Sequence, residues 1–380
     1  MEKNLKASSL FQLFNQNNFS DLVIKWGMDK GVTKFSTWEM TCVLITSFIA
    51  RLGSFREIEE TLNIPRSTFG DALKNRCSGF FQELVGHVIN QIRVEDLSRK
   101  KKKAIREILA MDSSEIRVHG SLFSLLGWKL KKCLGNKAAA KLHVIWNVHG
   151  EWVENFLVTP GRRGDSPVSR LFKLLSDKTY VFDRAYNDLS FWYDIMSSGS
   201  HFVTRLKNIP KNKLKLILSK IKKSDRCKIL FDGIYTPTPS TLSRHSNVPK
   251  DIKFRHIIYR DPESGKVFHF VTSDFKSSPT VIADIYKKRW AVELLFKWLK
   301  GHLNVRYLPV KSPNAVRIQL TISILVLLLL QLKMTKERLN KTLWELLRTF
   351  RATVTREGLY LSLAPDGCRW KLVPAKDLSS

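Results

Sequence analysis

The chain has 380 residues, of which 64 are Lys or Arg and 34 are Asp or Glu, for a net charge of +30 at neutral pH. Its 43% apolar content, with 10 Trp, 22 Phe and 8 Tyr, excludes wholesale disorder and predicts two or three domains with sizeable cores. A positive charge this large excludes an ordinary metabolic enzyme and predicts a polyanionic partner, chiefly nucleic acid, with a membrane surface as the weaker reading. The five Cys, at positions 42, 77, 133, 227 and 368, are odd in number and lack metal-binding spacing, and no secretory signal opens the chain. A reducing, intracellular compartment is therefore expected.

Residues 1–95 carry 11 basic and 10 acidic side chains, so nearly all the excess charge lies beyond them. This part reads as helical, with Leu22, Ile24 and residues 38–49 as its dense apolar positions. Within residues 54–76, Ser54 and Glu57 form a capping box that opens a helix. Ile64 and Pro65 break it, and Ser67 or Thr68 caps a second helix running through Lys74 and Arg76. Such helix-turn-helix-like spacing suits DNA reading, although a small helical bundle produces it too. Residues 98–103, with Arg99, Lys100, Lys101, Lys102 and Lys103, read as a basic linker lying on phosphates.

The pattern then changes to short apolar or alternating runs at residues 108–111, 142–148, 152–158 and 180–182, punctuated by turn signals such as Pro160-Gly161, which predict strands. Residues 187–197, 280–299, 313–332 and 336–350 predict helices. Between them, residues 205–260 hold 15 basic and 3 acidic side chains, including Lys211, Lys213, Lys215, Lys220, Lys222 and Lys223. Strand-like runs at 227–234, 252–259 and 266–272 make this a β-rich basic insertion. The apolar stretch 318–332 is broken by Gln319, Thr321, Ser323 and Gln331. It is short for a membrane span of about 20 residues and reads as a buried helix. The expected organisation is a helical domain suited to DNA reading (1–95), an α/β core in two parts (96–204 and 280–335), the insertion (205–279) and a helical carboxy-terminal segment (336–380).

Three acids stand out. Asp112 and Asp183 each follow an apolar strand, where an unpaired carboxylate is costly to desolvate. Each therefore needs a cation or a strong partner, even if only a neighbour such as Arg184. Glu293 lies in the segment 280–299. If that segment is one helix, Tyr286, Arg289, Glu293, Lys297 and Lys300 fall within a sector of about 80°, opposite an apolar face formed by Leu294, Leu295, Trp298 and Leu299. Carboxylates without a His or Cys cluster suit Mg²⁺ or Mn²⁺ better than zinc. A pair of such ions about 4 Å apart suits in-line attack on a phosphodiester, with basic side chains holding the phosphates.

At these residues the sequence resembles the DDE transposases of the IS4 family, whose core is ribonuclease H-like. The likeness rests on Tyr286-x2-Arg289-x3-Glu293-x6-Lys300, the family's Y-R-E-K signature, and on the contexts Met111-Asp112-Ser113-Ser114 and Phe182-Asp183-Arg184-Ala185-Tyr186, and it extends over residues 95–335. The resemblance implies Asp112, Asp183 and Glu293 as ligands of two Mg²⁺ or Mn²⁺ ions, with Tyr286, Arg289 and Lys300, helped by Lys297 and Arg184, on transposon-end DNA. It further implies cut-and-paste transposition through a hairpin intermediate and a homodimer bridging two ends, with residues 313–332 and 336–350 as contact candidates. The expected setting is the bacterial cytoplasm at the nucleoid, with no membrane partner. Some relatives hold a flipped base with a Trp in the insertion, but residues 205–281 here contain no Trp, leaving Tyr235 or a Phe. A ribonuclease H-type nuclease would share the acids without needing the helical front domain. A DNA-binding regulator or an inactive copy would leave the acids unexplained or idle.

Overall fold

The structure, a computed structural model, describes residues 8–99, 106–125, 127–128, 137–206, 214–216, 228–357, 359–363 and 370–374. Its amino-terminal part is helical, as the sequence predicts: α1 (Ser8–Phe11), α2 (Gln16–Lys25), α3 (Thr37–Ala50), α4 (Phe55–Leu62), α5 (Arg66–Asn75) and α6 (Ser78–Arg99). A reciprocal Ser36–Glu39 capping box starts α3, whose residues are apolar on all sides and almost entirely buried. Ile24 departs from expectation. α2 buries Phe19 and Leu22 and leaves Ile24 78% exposed. The predicted linker begins inside α6, which ends at Arg99, while Lys100, Lys101, Lys102 and Lys103 lie outside the described residues.

Ser54 caps α4 by accepting from the Glu57 amide at 3.1 Å, but the Glu57 carboxylate reaches back to the Gly53 amide rather than to Ser54. The N-cap of α5 is Pro65, not Ser67 or Thr68, and no side chain caps it. Edge-to-face packing of Phe55 on Phe69, 5.2 Å between centroids, and a Glu59–Arg66 ion pair hold the two helices together. Arg66, Ser67 and Lys74 are exposed. Arg76 is buried, pairing with Asp29 at 2.9 Å and donating to the Phe35 carbonyl at 2.7 Å, so it supports the bundle instead of extending the exposed face.

The remaining strands are β1 (Glu107–Val118), β2 (Ala138–Asn147), β3 (Trp152–Pro160), β4 (Lys178–Phe182), β5 (His201–Arg205), β6 (Leu214–Leu216), β7 (Ile229–Tyr235), β8 (Phe254–Arg260), β9 (Val267–Thr272) and β10 (Tyr307–Leu308). They form one ten-stranded sheet in the order β3-β2-β1-β4-β5-β9-β8-β7-β6, with β10 beside β1. β1, β2 and β3 are antiparallel neighbours, and β4 and β5 run parallel to β1. This is the ribonuclease H-like order that the sequence predicts. The strands of the insertion continue the same sheet, because β9 pairs antiparallel with β5. Of the basic run, Lys215 falls in β6, and Lys211, Lys213, Lys220, Lys222 and Lys223 lie outside the described residues.

Helices α7 (Asp165–Ser169), α8 (Leu189–Ser197), α9 (Pro239–Leu242), α10 (Pro279–Lys287), α11 (Trp290–His302), α12 (Pro313–Glu337) and α13 (Leu343–Glu357) and a hairpin of β11 (Leu359–Leu363) and β12 (Trp370–Pro374) complete the chain. The segment expected as a helix at 336–350 is split, since α12 runs to Glu337, stops at a left-handed Arg338, and α13 starts at Leu343. By length and composition α12 could cross a membrane. It is instead packed against α3, α5, α6, α13 and β3, and every residue from Ile318 to Lys333 except Gln319 is buried. At about 1.5–3 kcal/mol for each fully buried Leu or Ile, this helix does most to join the helical bundle to the sheet. Of the cysteines, Cys42 and Cys77 are described, and both are free.

Candidate active site

Register places two of the acids side by side. Met111 on β1 pairs with Phe182 on the parallel neighbour β4, so Asp112 and Asp183 are the next residues on adjacent strands. Asp183 ends β4 and caps the turn that follows, accepting from the Ala185 amide at 2.7 Å. α11 packs on β1 and β2 and presents Glu293 from its first turn. Lys300, near the end of the same helix, donates to Ser114 at 2.6 Å and ties α11 to β1 beyond Asp112.

The expected single helix is broken between Tyr286 and Trp290. The Arg289 amide bonds to the Tyr286 carbonyl, and the Val292 amide to the Arg289 carbonyl, three-residue spacings that mark a tight 3₁₀ step. Arg289 thereby becomes the N-cap of α11, in helical conformation without a side-chain cap bond. Its guanidinium reaches into the acids. Nη2 donates to Glu293 at 2.5 Å and Nη1 lies 3.5 Å from Asp112. The rotation also changes the other face, because Leu294 is half exposed while Leu295, Phe296 and Leu299 are buried.

The electrostatics follow from this crowding. Burial pushes the Asp112 carboxyl up to about 6, and Asp183 and Glu293 push it the same way, against the Ser113 amide and Arg289. Burial alone would lower the Arg289 pKa, but its hydrogen bond to Glu293 and the nearby Glu293 and Asp112 carboxylates raise it. Among the described residues no three His, Cys, Asp or Glu side chains stand close enough to hold a metal ion without rearrangement, since Arg289 occupies the space between Asp112 and Glu293. The donor set nonetheless fits a hard divalent cation. The Asp112 carboxylate is repelled by both Asp183 and Glu293, and a set of carboxylate oxygens without His or Cys is the one such a cation takes.

Next to the acids, a cavity of about 250 Å³ is lined by Arg205, Tyr259, Phe268, Phe270, Tyr286, Lys287, Arg289 and Trp290, with Asp261 facing Lys287 at its edge. The Tyr286 ring lies between two guanidinium groups, Arg205 at 5.5 Å and Arg289 at 5.8 Å from its centroid. Arg205 Nε, Arg289 Nε and the Tyr286 hydroxyl are buried without hydrogen-bond partners. Burial raises the Tyr286 pKa, so that hydroxyl keeps its proton. Three unsatisfied donors around one basic, aromatic cavity suit a phosphate and an attached base.

Of the residues expected from sequence, Asp112, Asp183, Glu293, Arg289 and Tyr286 meet here, with Lys300 behind them through Ser114. Lys297 is exposed and sits 4.7 Å above the Trp290 ring, and Arg184 is exposed on the turn after Asp183, with no contact to the acids among the described bonds. Sequence reasoning missed Arg205, Phe268 and Trp290. In the sequence Arg205 is one of many charges in the insertion, and the available signal is its place at the end of β5, the next strand after Asp183. Asp165 was also missed. It accepts from Ser113 at 2.6 Å and from the buried Lys141 at 3.2 Å, bracing the strand at Asp112.

Comparison with known proteins agrees with this geometry. The family model described as a transposase DDE domain matches residues 103–329, and one described as a domain of unknown function (DUF4372) matches residues 3–68. A putative transposase of Sinorhizobium fredii is 28% identical over 77% of both chains. A putative transposase for insertion sequence element IS4SA of Synechocystis is 27% identical over 80% of this chain and 81% of its own. In fold, the chain is similar to a piggyBac transposase solved in a synaptic complex with hairpin DNA, at a TM-score of 0.51 and 10% identity, covering 92% of this chain and 80% of that one. With a DDE domain matched across more than half of its length, a ribonuclease H-like sheet beneath the acids and insertion-sequence transposases among its relatives, the chain belongs to the DDE transposases, enzymes that move DNA.

Proposed function

We propose that this transposase cuts the ends of its own insertion sequence and joins them to target DNA at a site formed by Asp112, Asp183 and Glu293. The observation that carries the reading is the convergence of those acids from β1, β4 and α11 beside a basic cavity with three unsatisfied donors. Asp112, Asp183 and Glu293 would hold Mg²⁺ or Mn²⁺, for which two ions are expected. When bound, these supply an activated water or 3′-hydroxyl and neutralise charge at the leaving oxygen. Arg205 and Arg289 hold the end phosphate in line, with the Tyr286 ring packed against both guanidinium groups, and Lys300 fixes the helix that carries Glu293.

The cavity also supports a hairpin step, which requires the strand end to bend back sharply. Its aromatic walls, Tyr259, Phe268, Phe270 and Trp290, offer stacking to an unpaired base, the role that sequence had left to Tyr235 or a Phe in the insertion. Fluorescence of a 2-aminopurine placed next to the cleavage position should be quenched on binding, and less so in Phe268→Ala.

Joining two ends to one target calls for two such sites, so we infer a dimer on DNA. α12 is taken up inside the subunit, which leaves α13, with Trp344 on its surface, as the contact candidate. Light scattering with and without end DNA tests this. A complex of one protein per end that completes strand transfer would refute the dimer. The place of action is then the DNA of a bacterial cytoplasm.

The reading is tested by incubating the purified protein with duplexes ending in the inverted repeats that flank its gene, in Mg²⁺. Cleavage at the repeat boundary is expected. Equal cutting of random duplexes would favour a general nuclease instead.

A further inference from the structure

Resting on the reading of the three acids as metal ligands, we propose that Arg289 is an internal counter-cation that holds Asp112 and Glu293 until end DNA arrives. It then exchanges these carboxylates for a phosphate, so that DNA binding and metal loading are coupled. The geometry carries this in three ways. First, the guanidinium engages both acids at once, at 2.5 Å from Glu293 and 3.5 Å from Asp112. A carboxylate oxygen committed to Arg289 is not free for a cation, and two positive groups in one pocket repel each other.

Second, the same side chain lines the neighbouring cavity, with its Nε buried and unpartnered and its planar face 5.8 Å from the Tyr286 centroid. Guanidinium matches phosphate as well as it matches carboxylate, in the same two-pronged geometry. The exchange therefore replaces one set of charge-assisted hydrogen bonds with another, and the Nε gains the partner it lacks.

Third, the backbone is suited to a side-chain switch. Arg289 stands at the 3₁₀ step between α10 and α11, so its side chain can turn from acids to cavity without moving Glu293 along its helix. Lys300 differs in this respect. It is anchored on the Ser114 hydroxyl and touches none of the three acids among the described bonds.

Coupling of this kind is reciprocal, since end DNA must raise metal affinity by the factor by which metal raises DNA affinity. The test is Mn²⁺ binding to the full-length protein, read by electron paramagnetic resonance of free Mn²⁺, with and without a duplex carrying the terminal repeat. In the absence of duplex, Arg289→Gln should bind Mn²⁺ about tenfold more tightly than wild type, within the usual range of coupling between sites. The duplex should tighten Mn²⁺ binding by wild type and add little in Arg289→Gln. Equal Mn²⁺ affinity of wild type and Arg289→Gln, or an equal effect of duplex on both, overturns the proposal. If thermal unfolding shows Arg289→Gln to be misfolded, Arg289→Lys serves in its place. That side chain lacks the fork that engages both acids, so an affinity above that of wild type is expected, and an affinity no higher than wild type counts against competition. Asp112→Asn and Glu293→Gln are measured alongside, and if neither weakens Mn²⁺ binding it is the carboxylate site that fails, not the switch.

Discussion

Arg289 and Glu293, one helical turn apart, are joined by a 2.5 Å hydrogen bond that brings a guanidinium between Glu293 and Asp112. A signature residue expected only to face DNA thus also neutralises acids of the proposed catalytic site. Arg289→Lys keeps the charge but loses the fork, and charge-assisted hydrogen bonds are worth about 1.5–3 kcal/mol. Strand cleavage on a pre-formed end complex should fall by roughly 10–100-fold. Wild-type rates in this variant would remove the phosphate-holding role.

Tyr286 is held by its ring more than by its hydroxyl. Two guanidinium groups flank the ring, each contact contributing about 0.5–2 kcal/mol. Tyr286→Phe should keep most end binding, and Tyr286→Leu should weaken it clearly in filter binding. The reverse order would mean that the hydroxyl makes the important phosphate contact.

The near-neutral helical part should read the end sequence while the basic remainder supplies salt-sensitive affinity. Removing residues 1–95 is a poor test, because α6 and α12 pack together and the deletion would expose α12. Arg66→Ala and Lys74→Ala, on the exposed face of α5, leave the core intact. In competition gel shifts they should lower discrimination between end and random DNA more than total binding at low salt. Unchanged discrimination excludes α5 as the reading helix.

A buried ion pair fixes the insertion to the segment that leads into α10. Arg255 grips Asp232 with two 2.8 Å hydrogen bonds and donates to the carbonyls of Asp274 and Ser277, just before α10. Arg255→Ala strands the Asp232 charge and should cost about 3–5 kcal/mol in urea unfolding. A loss below about 1 kcal/mol would show that the pair is dispensable.

Acid should destabilise the insertion through His256. This fully buried ring stacks on His269, and burial, then the His269 charge, lowers its pKa to about 4 from 6.5. A depressed folded-state pKa means that the unfolded chain takes up the proton first. The stability is present above pH 6.5 and is lost as pH falls from 6.5 towards 4, by roughly 3 kcal/mol at most. His256→Phe should flatten that part of the stability profile. An unaltered pH slope would assign the acid sensitivity to other groups.

Much of this was legible in the sequence because it is local. The apolar run before Asp183 specifies a strand with an acid just past its end, the run before Asp112 specifies only the first half of β1, which continues to Val118, and the spacing from Glu293 to Lys300 specifies a helix face. The helix break at Arg289 was not legible, because no Pro or Gly marks it. The strands of the insertion could be read individually, but their partner could not, since pairing of β9 with β5 joins residues some 70 positions apart. Arg76 and Arg205 show the same limit for charge. Both are Arg in basic surroundings, and only the fold buries one against Asp29 and sets the other over Tyr286.

The central claim, that Asp112, Asp183 and Glu293 act together, is tested most directly by cleavage of terminal-repeat duplexes in Mg²⁺ by Asp112→Asn, Asp183→Asn and Glu293→Gln. Each variant should retain DNA binding, because the phosphate contacts come from basic side chains, and each should lose cleavage by several orders of magnitude. Near-normal cleavage by any one of the three would contradict the shared site.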